Sequence, residues 1–218
     1  MVHSPLAHRI YSLISSCVQI TLYLCHMIKK RIAIFASGSG SNALNLINFF
    51  ANHPAVEVGI VLSNKKDAPV VNSCEELGLD VFALNNEEVS EGGRLVSICQ
   101  NQGIDFVVLA GYLRKIPNEL IDEYPQQIIN NHPSLLPKFG GAGMYGAHVH
   151  EMVVSMGEIE SGISIHLVNS YYDKGQMIAQ FYTPISPEDS AKKVEEKVRK
   201  LEIQYFPLVV EQYILGAK

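Results

Sequence analysis

The chain has 218 residues, a formal net charge of −5, and 47% hydrophobic against 18% charged residues. That length carries one sizeable α/β domain with a full core, and the apolar content excludes a disordered chain. The acidic balance argues against a broad nucleic-acid footprint while leaving room for a local basic patch.

Cys17, Cys25, Cys74 and Cys99 form no C-x-x-C pair, so neither a zinc site nor a redox motif is indicated, and reduced thiols in the cytoplasm are expected. Ile10 to Ile28 lacks Asp, Glu, Lys and Arg and approaches the roughly 20 residues that cross a bilayer. Ser12, Ser15, Ser16, Gln19, Thr21 and His26 interrupt it, and no A-x-A-like cleavage site follows, so it is a poor span and a poor secretory signal. Met27 instead opens a run that leads straight into a buried strand. Residues 1–28 are therefore expected to be an N-terminal extension, a mis-start or dispensable tail, ahead of one domain over 29–218.

Ile32–Ala36 is a continuous apolar run, the pattern of a buried parallel strand. Ser37-Gly38-Ser39-Gly40-Ser41-Asn42 follows, and then a helical pattern through Leu44, Ile47 and Phe50. Strand, glycine turn and helix form an anion cradle, because glycines let backbone N–H groups approach a phosphate and the helix N-terminus favours its charge. The same residues also serve a bare turn and helix cap. A second strand, Val56–Leu62, ends without the acidic residue that a dinucleotide ribose requires; Asp67 lies too far along, which favours a phosphate monoester over NAD.

The pattern then predicts a helix over Ala68–Leu77, a strand at Val81–Leu84, a helix over Arg94–Gln102 and a central strand at Phe106–Ala110. Arg114, just past that strand, suits a carboxylate or a ring, or a solvated loop. A short helix over Pro117–Tyr124 has Pro at its first position.

Ile128-Ile129 leads into Asn130-Asn-His-Pro-Ser-Leu-Leu-Pro-Lys138, where Pro133 ends the strand. Asn130 and His132 alternate by two, so their side chains leave the same face at the carboxyl end, where open α/β sheets bind ligands. An amide donor beside a titratable base suits a reaction in which an oxygen turns negative and a proton moves; the alternative is a turn that only satisfies backbone groups.

The Phe139–Gly146 segment holds four glycines in eight residues and must be a bending loop. His148 and His150 begin a helix on which their side chains diverge, a poor arrangement for a metal. Gly162–Val168 alternates as a strand, with His166 read as structural. Met177–Thr183 is the last strand, antiparallel to its predecessor across a polar loop that holds Asp173. Pro187-Glu188-Asp189 is expected to open a long helix that Pro207 interrupts. The elements add up to a single-domain, Rossmann-like, mostly parallel twisted sheet with helices on both faces.

Four segments in this order, Ser37–Asn42, Leu109–Arg114, Asn130–Lys138 and Ser164–Val168 with Asp173, resemble the phosphoribosylglycinamide formyltransferases (glycinamide ribonucleotide transformylases) of purine synthesis. The resemblance covers nearly all of residues 29–216. The Asn-x-His-Pro-Ser-Leu-Leu-Pro motif belongs to the wider formyltetrahydrofolate-using superfamily, and the glycine loop narrows it to this member.

The resemblance implies formyl transfer from 10-formyltetrahydrofolate to the amine of glycinamide ribonucleotide. It implies catalytic roles for Asn130, His132 and Asp173, with Asp173 raising the imidazole pKa and a charged His132 helping Asn130 to stabilise the oxyanion. Gly40, Ser41 and Asn42 would hold the substrate phosphate, Arg94 would stand for the family's phosphate-binding arginine, Glu202 would contact the nucleotide, and Leu113, Arg114, Lys115 and Ile116 would hold the folate. No metal, nucleic acid or membrane is implied, and both monomer and homodimer remain open. Asn131 stands where an apolar residue is common, and Asp173-Lys174-Gly175 replaces the family's Asp-Gly-Gly. Methionyl-tRNA formyltransferase carries a further nucleic-acid-binding domain for which this chain has neither length nor charge. Formyltetrahydrofolate hydrolase carries an N-terminal regulatory domain too large for residues 1–28. A non-catalytic nucleotide-binding module would leave Asn130, His132 and Asp173 unexplained.

Overall fold

The computed structural model describes residues 29–216, so the reading of residues 1–28 lies outside the described residues. The strands are β1 (Lys30–Ala36), β2 (Val56–Ser63), β3 (Val81–Ala83), β4 (Phe106–Leu109), β5 (Ile128–His132), β6 (Glu160–Leu167) and β7 (Met177–Pro184). The helices are α1 (Ser41–Phe50), α2 (Pro69–Glu76), α3 (Asn86–Ser90), α4 (Gly92–Asn101), α5 (Asn118–Glu123), α6 (Ala147–Ser155) and α7 (Ala191–Gly216).

The strands form one sheet in the order β3-β2-β1-β4-β5-β6-β7. β1 to β5 run parallel; β6 is antiparallel to both β5 and β7, so the expected antiparallel closing pair is present. The chain winds outward from β1 through β3, then restarts at β4 on the other side of β1. The carboxyl ends of β1 and β4 therefore splay apart at a topological switch point, which opens a crevice for ligand.

Strand side chains divide by parity into two cores. Ile32, Ile34 and Ile129 pack with α1, α2, α6 and α7, whereas Ala33, Phe35 and Ile128 pack with α4 and α5 on the opposite face. This is the two-residue alternation of a sheet covered on both sides.

Four local expectations change. The Asn85-x-x-Glu88 capping box makes a helix of Asn86–Ser90, which the apolar pattern did not reveal: Asn85 Oδ1 accepts from the N–H groups of Glu87 and Glu88, while Glu88 Oε2 accepts from Asn85 N–H at 2.7 Å. Pro117 is the N-cap of α5 and not its first helical residue.

Pro207 does not interrupt the last helix, which runs 26 residues straight through it. A proline removes the hydrogen bond to the carbonyl four residues back, here that of Ile203. That carbonyl accepts instead from Asn45 Nδ2 on α1 at 2.9 Å, and Pro207 itself is buried in the core. The helix also starts later than expected, at Ala191. Asp189, ahead of it, accepts from Ser186 N–H at 2.9 Å and pairs with Lys197.

Candidate active site

The carboxyl ends of β1, β4 and β5 border a cleft of about 360 Å³. Its lining includes Gly40, Ser41 and Asn42 from the glycine turn, Leu113, Arg114, Lys115 and Ile116 from the segment after β4, and Asn130, His132 and Asp173. Glu202 also lines it, from α7.

The glycine turn is built for close approach. Gly40 is the residue ahead of α1, with φ 76°, and a Cβ there would collide with the Val70 side chain. The first intrahelical bond is Leu44 N–H to Gly40 C=O at 2.8 Å, so the amides of Ser41, Asn42 and Ala43 have no partner within the helix. Ser37 ties this turn to the loop after β4. Its buried Oγ donates to Asn64 Oδ1 and accepts from Leu113 N–H at 2.8 Å. Asn64 Nδ2 in turn donates to Asn86 Oδ1 at 2.9 Å.

β5 delivers Asn130 and His132 as expected. The antiparallel register sets His166 directly across from Asn130, and Asn130 Nδ2 lies 3.1 Å from His166 Nε2. His166 Nδ1 lies 2.8 Å from the Leu167 carbonyl, an acceptor only, so Nδ1 carries the proton and Nε2 offers a lone pair to the Asn130 amide. His166 is thus part of the site. Its lone position on an apolar strand carried no sign of this, because the contact comes from strand pairing.

His132 Nε2 donates to the Phe139 carbonyl at 2.8 Å, which leaves Nδ1 free, 3.7 Å from Asp173 Oδ1. Asp173 Oδ1 is also 3.6 Å from His166 Nε2, while Oδ2 accepts from Gly141 N–H at 2.8 Å. One carboxylate therefore joins both imidazoles to the glycine-rich loop. Ser164 clamps the segment behind His132: its Oγ donates to the Ser134 carbonyl at 2.6 Å and accepts from Leu136 N–H at 2.9 Å.

The electrostatics correct one expectation. Burial pushes the His132 pKa down; Asp173 and the Phe139 carbonyl push it up and His166 lowers it again, and the net direction is below the ordinary value. Asp173 does raise the imidazole, but desolvation outweighs it, which favours the neutral ring over the charged donor that the resemblance implies. For Asp173, burial acts upward, yet His166, His132 and the Gly141 N–H together hold it below the usual carboxylate value.

The loop departure has a structural answer. Asp173 itself takes φ 52°, whereas Lys174 is not among the positive-φ residues and so needs no glycine. At Gly175 a Cβ would collide with the Leu167 carbonyl, and there glycine is retained.

Arg94 is not in the cleft lining; it pairs with Glu88 at 3.0 Å, held by the capping box that the sequence reading missed. Arg199, one turn before Glu202 on α7, lines the cleft instead. Tyr171 and Tyr172 are exposed at its mouth, where Lys115 Nζ stands 5.9 Å from the Tyr172 ring centroid. His148 and His150 diverge: His148 lies at the surface near Glu151, and His150 is buried along the cleft.

A parallel-sheet crevice lined by a glycine turn, an amide, an imidazole and a carboxylate fits a group-transfer enzyme of the formyl transferase class. The Formyl transferase family matches residues 30–210, and the chain belongs to that family. Within it, the chain is 38% identical over 197 residues to the chloroplastic phosphoribosylglycinamide formyltransferase of Arabidopsis thaliana, covering 85% of this chain and 67% of that protein. It is 32% identical over 195 residues to the Haemophilus influenzae phosphoribosylglycinamide formyltransferase, covering 86% and 88%. The crystal structure of glycinamide ribonucleotide transformylase 1 from Symbiobacterium toebii superposes with a TM-score of 0.79 at 26% identity, covering 88% of this chain and 89% of that one.

Proposed function

We propose that this chain transfers the formyl group of 10-formyltetrahydrofolate to the amine of glycinamide ribonucleotide, in de novo purine synthesis. The observation that carries the reading is the single cleft joining the anion-binding turn to the Asn130–His132–Asp173 cluster. The nucleotide phosphate sits on the amides of Gly40, Ser41 and Asn42, with Arg199 supplying the cation once assigned to Arg94. The folate occupies the other end, against Leu113, Arg114, Lys115 and Ile116 and beneath the tyrosines at the mouth. Glu202 accepts hydrogen bonds from the nucleotide's hydroxyls.

As the amine attacks, negative charge builds on the formyl oxygen. Asn130 uses one amide N–H on His166 and has the second to donate to that oxygen. His132 takes the proton of the attacking amine on Nδ1, and Asp173 stabilises the imidazolium that results. As the oxyanion collapses to the new formamide, the bond between the formyl carbon and the folate N10 breaks, and the imidazolium returns the proton to that nitrogen, which releases tetrahydrofolate. No step calls for a metal. The oligomeric state is a monomer or homodimer, and the compartment is reducing, the cytoplasm, in keeping with Cys74 and Cys99 as buried free thiols among the described residues.

One assay tests the reading: purified protein with 10-formyltetrahydrofolate, with and without glycinamide ribonucleotide. Folate turnover only with the nucleotide is expected. Turnover without it would make the chain a hydrolase, and no turnover in either case would leave a binding module.

A further inference from the structure

We infer that Asn131 is a positioning residue for the nucleotide substrate: it holds the Glu202 carboxylate in the cleft, oriented to accept hydrogen bonds from the substrate's sugar hydroxyls. The inference rests on the reading of the cleft given above.

β5 sends Asn130 and His132 to one face and Asn131 to the other, the face on which Ile129 packs with α7 residues Val198 and Phe206. A core position with only space to fill would carry an aliphatic side chain, as Ile129 does two residues earlier. Asn131 is instead a carboxamide only 6% exposed. Burying it is costly unless its polar atoms are paired.

Its Nδ2 donates to Glu202 Oε1 at 2.7 Å. Its Oδ1 has no partner among the described residues. Asn42, at the start of α1, is a second buried amide on the cleft that acts to lower the Glu202 pKa, and its Oδ1 has no partner among the described residues. Asn131 thus gives its donor to the Glu202 carboxylate and leaves its own acceptor unsatisfied. That arrangement disfavours folding and fits a role in fixing the carboxylate.

Burial pushes the Glu202 pKa up and sets the net direction above the ordinary value; Asn42, Asn131 and Arg199 act to lower it, and Glu195 acts against them. His150, on α6, is the further titratable group along this wall of the cleft. The two amides are the neutral partners that favour the ionised form. A carboxylate held this way offers only acceptors, so its ligand must bring donors. Asn42 belongs to the anion cradle as well, so those donors lie next to a phosphate. A sugar phosphate meets both demands.

The test is steady-state kinetics of the full chain, with each substrate varied in turn. Asn131→Leu removes the donor at similar volume, and Asn131→Ala removes it with no added bulk should the leucine variant misfold. Loss of one charge-assisted hydrogen bond is expected to raise the nucleotide KM about tenfold. The folate KM should change far less, and kcat should fall by less than the nucleotide KM rises.

A structural role alone would not move the pH profile. With a donor removed, Glu202 protonates at higher pH, so the rise in nucleotide KM on acidification should begin at higher pH in the variants than in the wild type. In a Glu202→Gln background, Asn131→Leu should add little. Active wild type with a nucleotide KM and pH profile unchanged in both variants would overturn this inference and leave the function intact. A wild type that ignores the nucleotide would overturn the function and this inference with it.

Discussion

Asn130 and His166 face each other across the β5–β6 pair, with the amide nitrogen 3.1 Å from the imidazole Nε2. The histidine is itself anchored by its own strand, through Nδ1–H to the Leu167 carbonyl. The amide proposed to meet the developing oxyanion is therefore aimed by a fixed acceptor and cannot rotate freely.

His166→Ala should accordingly act on kcat more than on either KM. Loss of an aligned oxyanion donor costs about a hundredfold or more in other acyl-transfer sites, and loss of only its orientation should cost about tenfold to a hundredfold in kcat here. Initial rates at saturating substrates, with circular dichroism to verify folding, measure this. An unchanged kcat would mean that Asn130 is aligned without its partner.

The pH profile follows from His132. Burial holds its pKa below the ordinary value, and the proposed reaction uses the neutral ring, so kcat/KM should rise with pH through a value below that of an ordinary histidine and then level off. Asp173 pulls that value upward. Asp173→Asn should thus lower the plateau, by about a hundredfold or more, and move the acidic limb to still lower pH. A limb that moved upward would reverse the assigned electrostatics.

Stability should follow the same group. A histidine whose folded pKa is depressed binds fewer protons than the unfolded chain below about pH 6.5. His132 and His150 are both lowered, chiefly by burial. Their contribution is complete above the unfolded value and is lost as pH falls below it. Thermal unfolding between pH 7.5 and 5 should therefore show Tm declining through that window, and His150→Gln should flatten part of the decline.

Ser37 joins the glycine turn to the segment after β4, the proposed phosphate and folate sites, through one hydroxyl. Ser37→Ala leaves Asn64 Oδ1 and Leu113 N–H without that partner, at a cost of about 1–3 kcal/mol of stability. Both KM values should rise together, because both loops lose the same tie. Chemical denaturation and two-substrate kinetics measure the pair of effects, and a change confined to one KM would break the proposed link.

Residues 174 and 175 separate two glycine roles. Gly175→Ala drives a Cβ into the Leu167 carbonyl and should displace Asp173, with loss of both stability and kcat. Lys174→Gly should leave kcat within about twofold, since Lys174 adopts no glycine-specific backbone.

Sequence alone determined the strand–turn–helix of the anion cradle, the parallel sheet with its antiparallel closing pair, and the placing of Asn130 and His132 on one face of β5. These depend on local chemistry: apolar runs, glycine turns and two-residue alternation are written in neighbouring residues. Tertiary structure alone decided that His166 belongs to the site, that Glu88 draws Arg94 away while Arg199 lines the cleft, that Asn45 lets α7 pass through Pro207, and that burial overrides Asp173 at His132. Each of these depends on which residues distant in the chain become neighbours, and on how much water is excluded between them, quantities that no local pattern encodes.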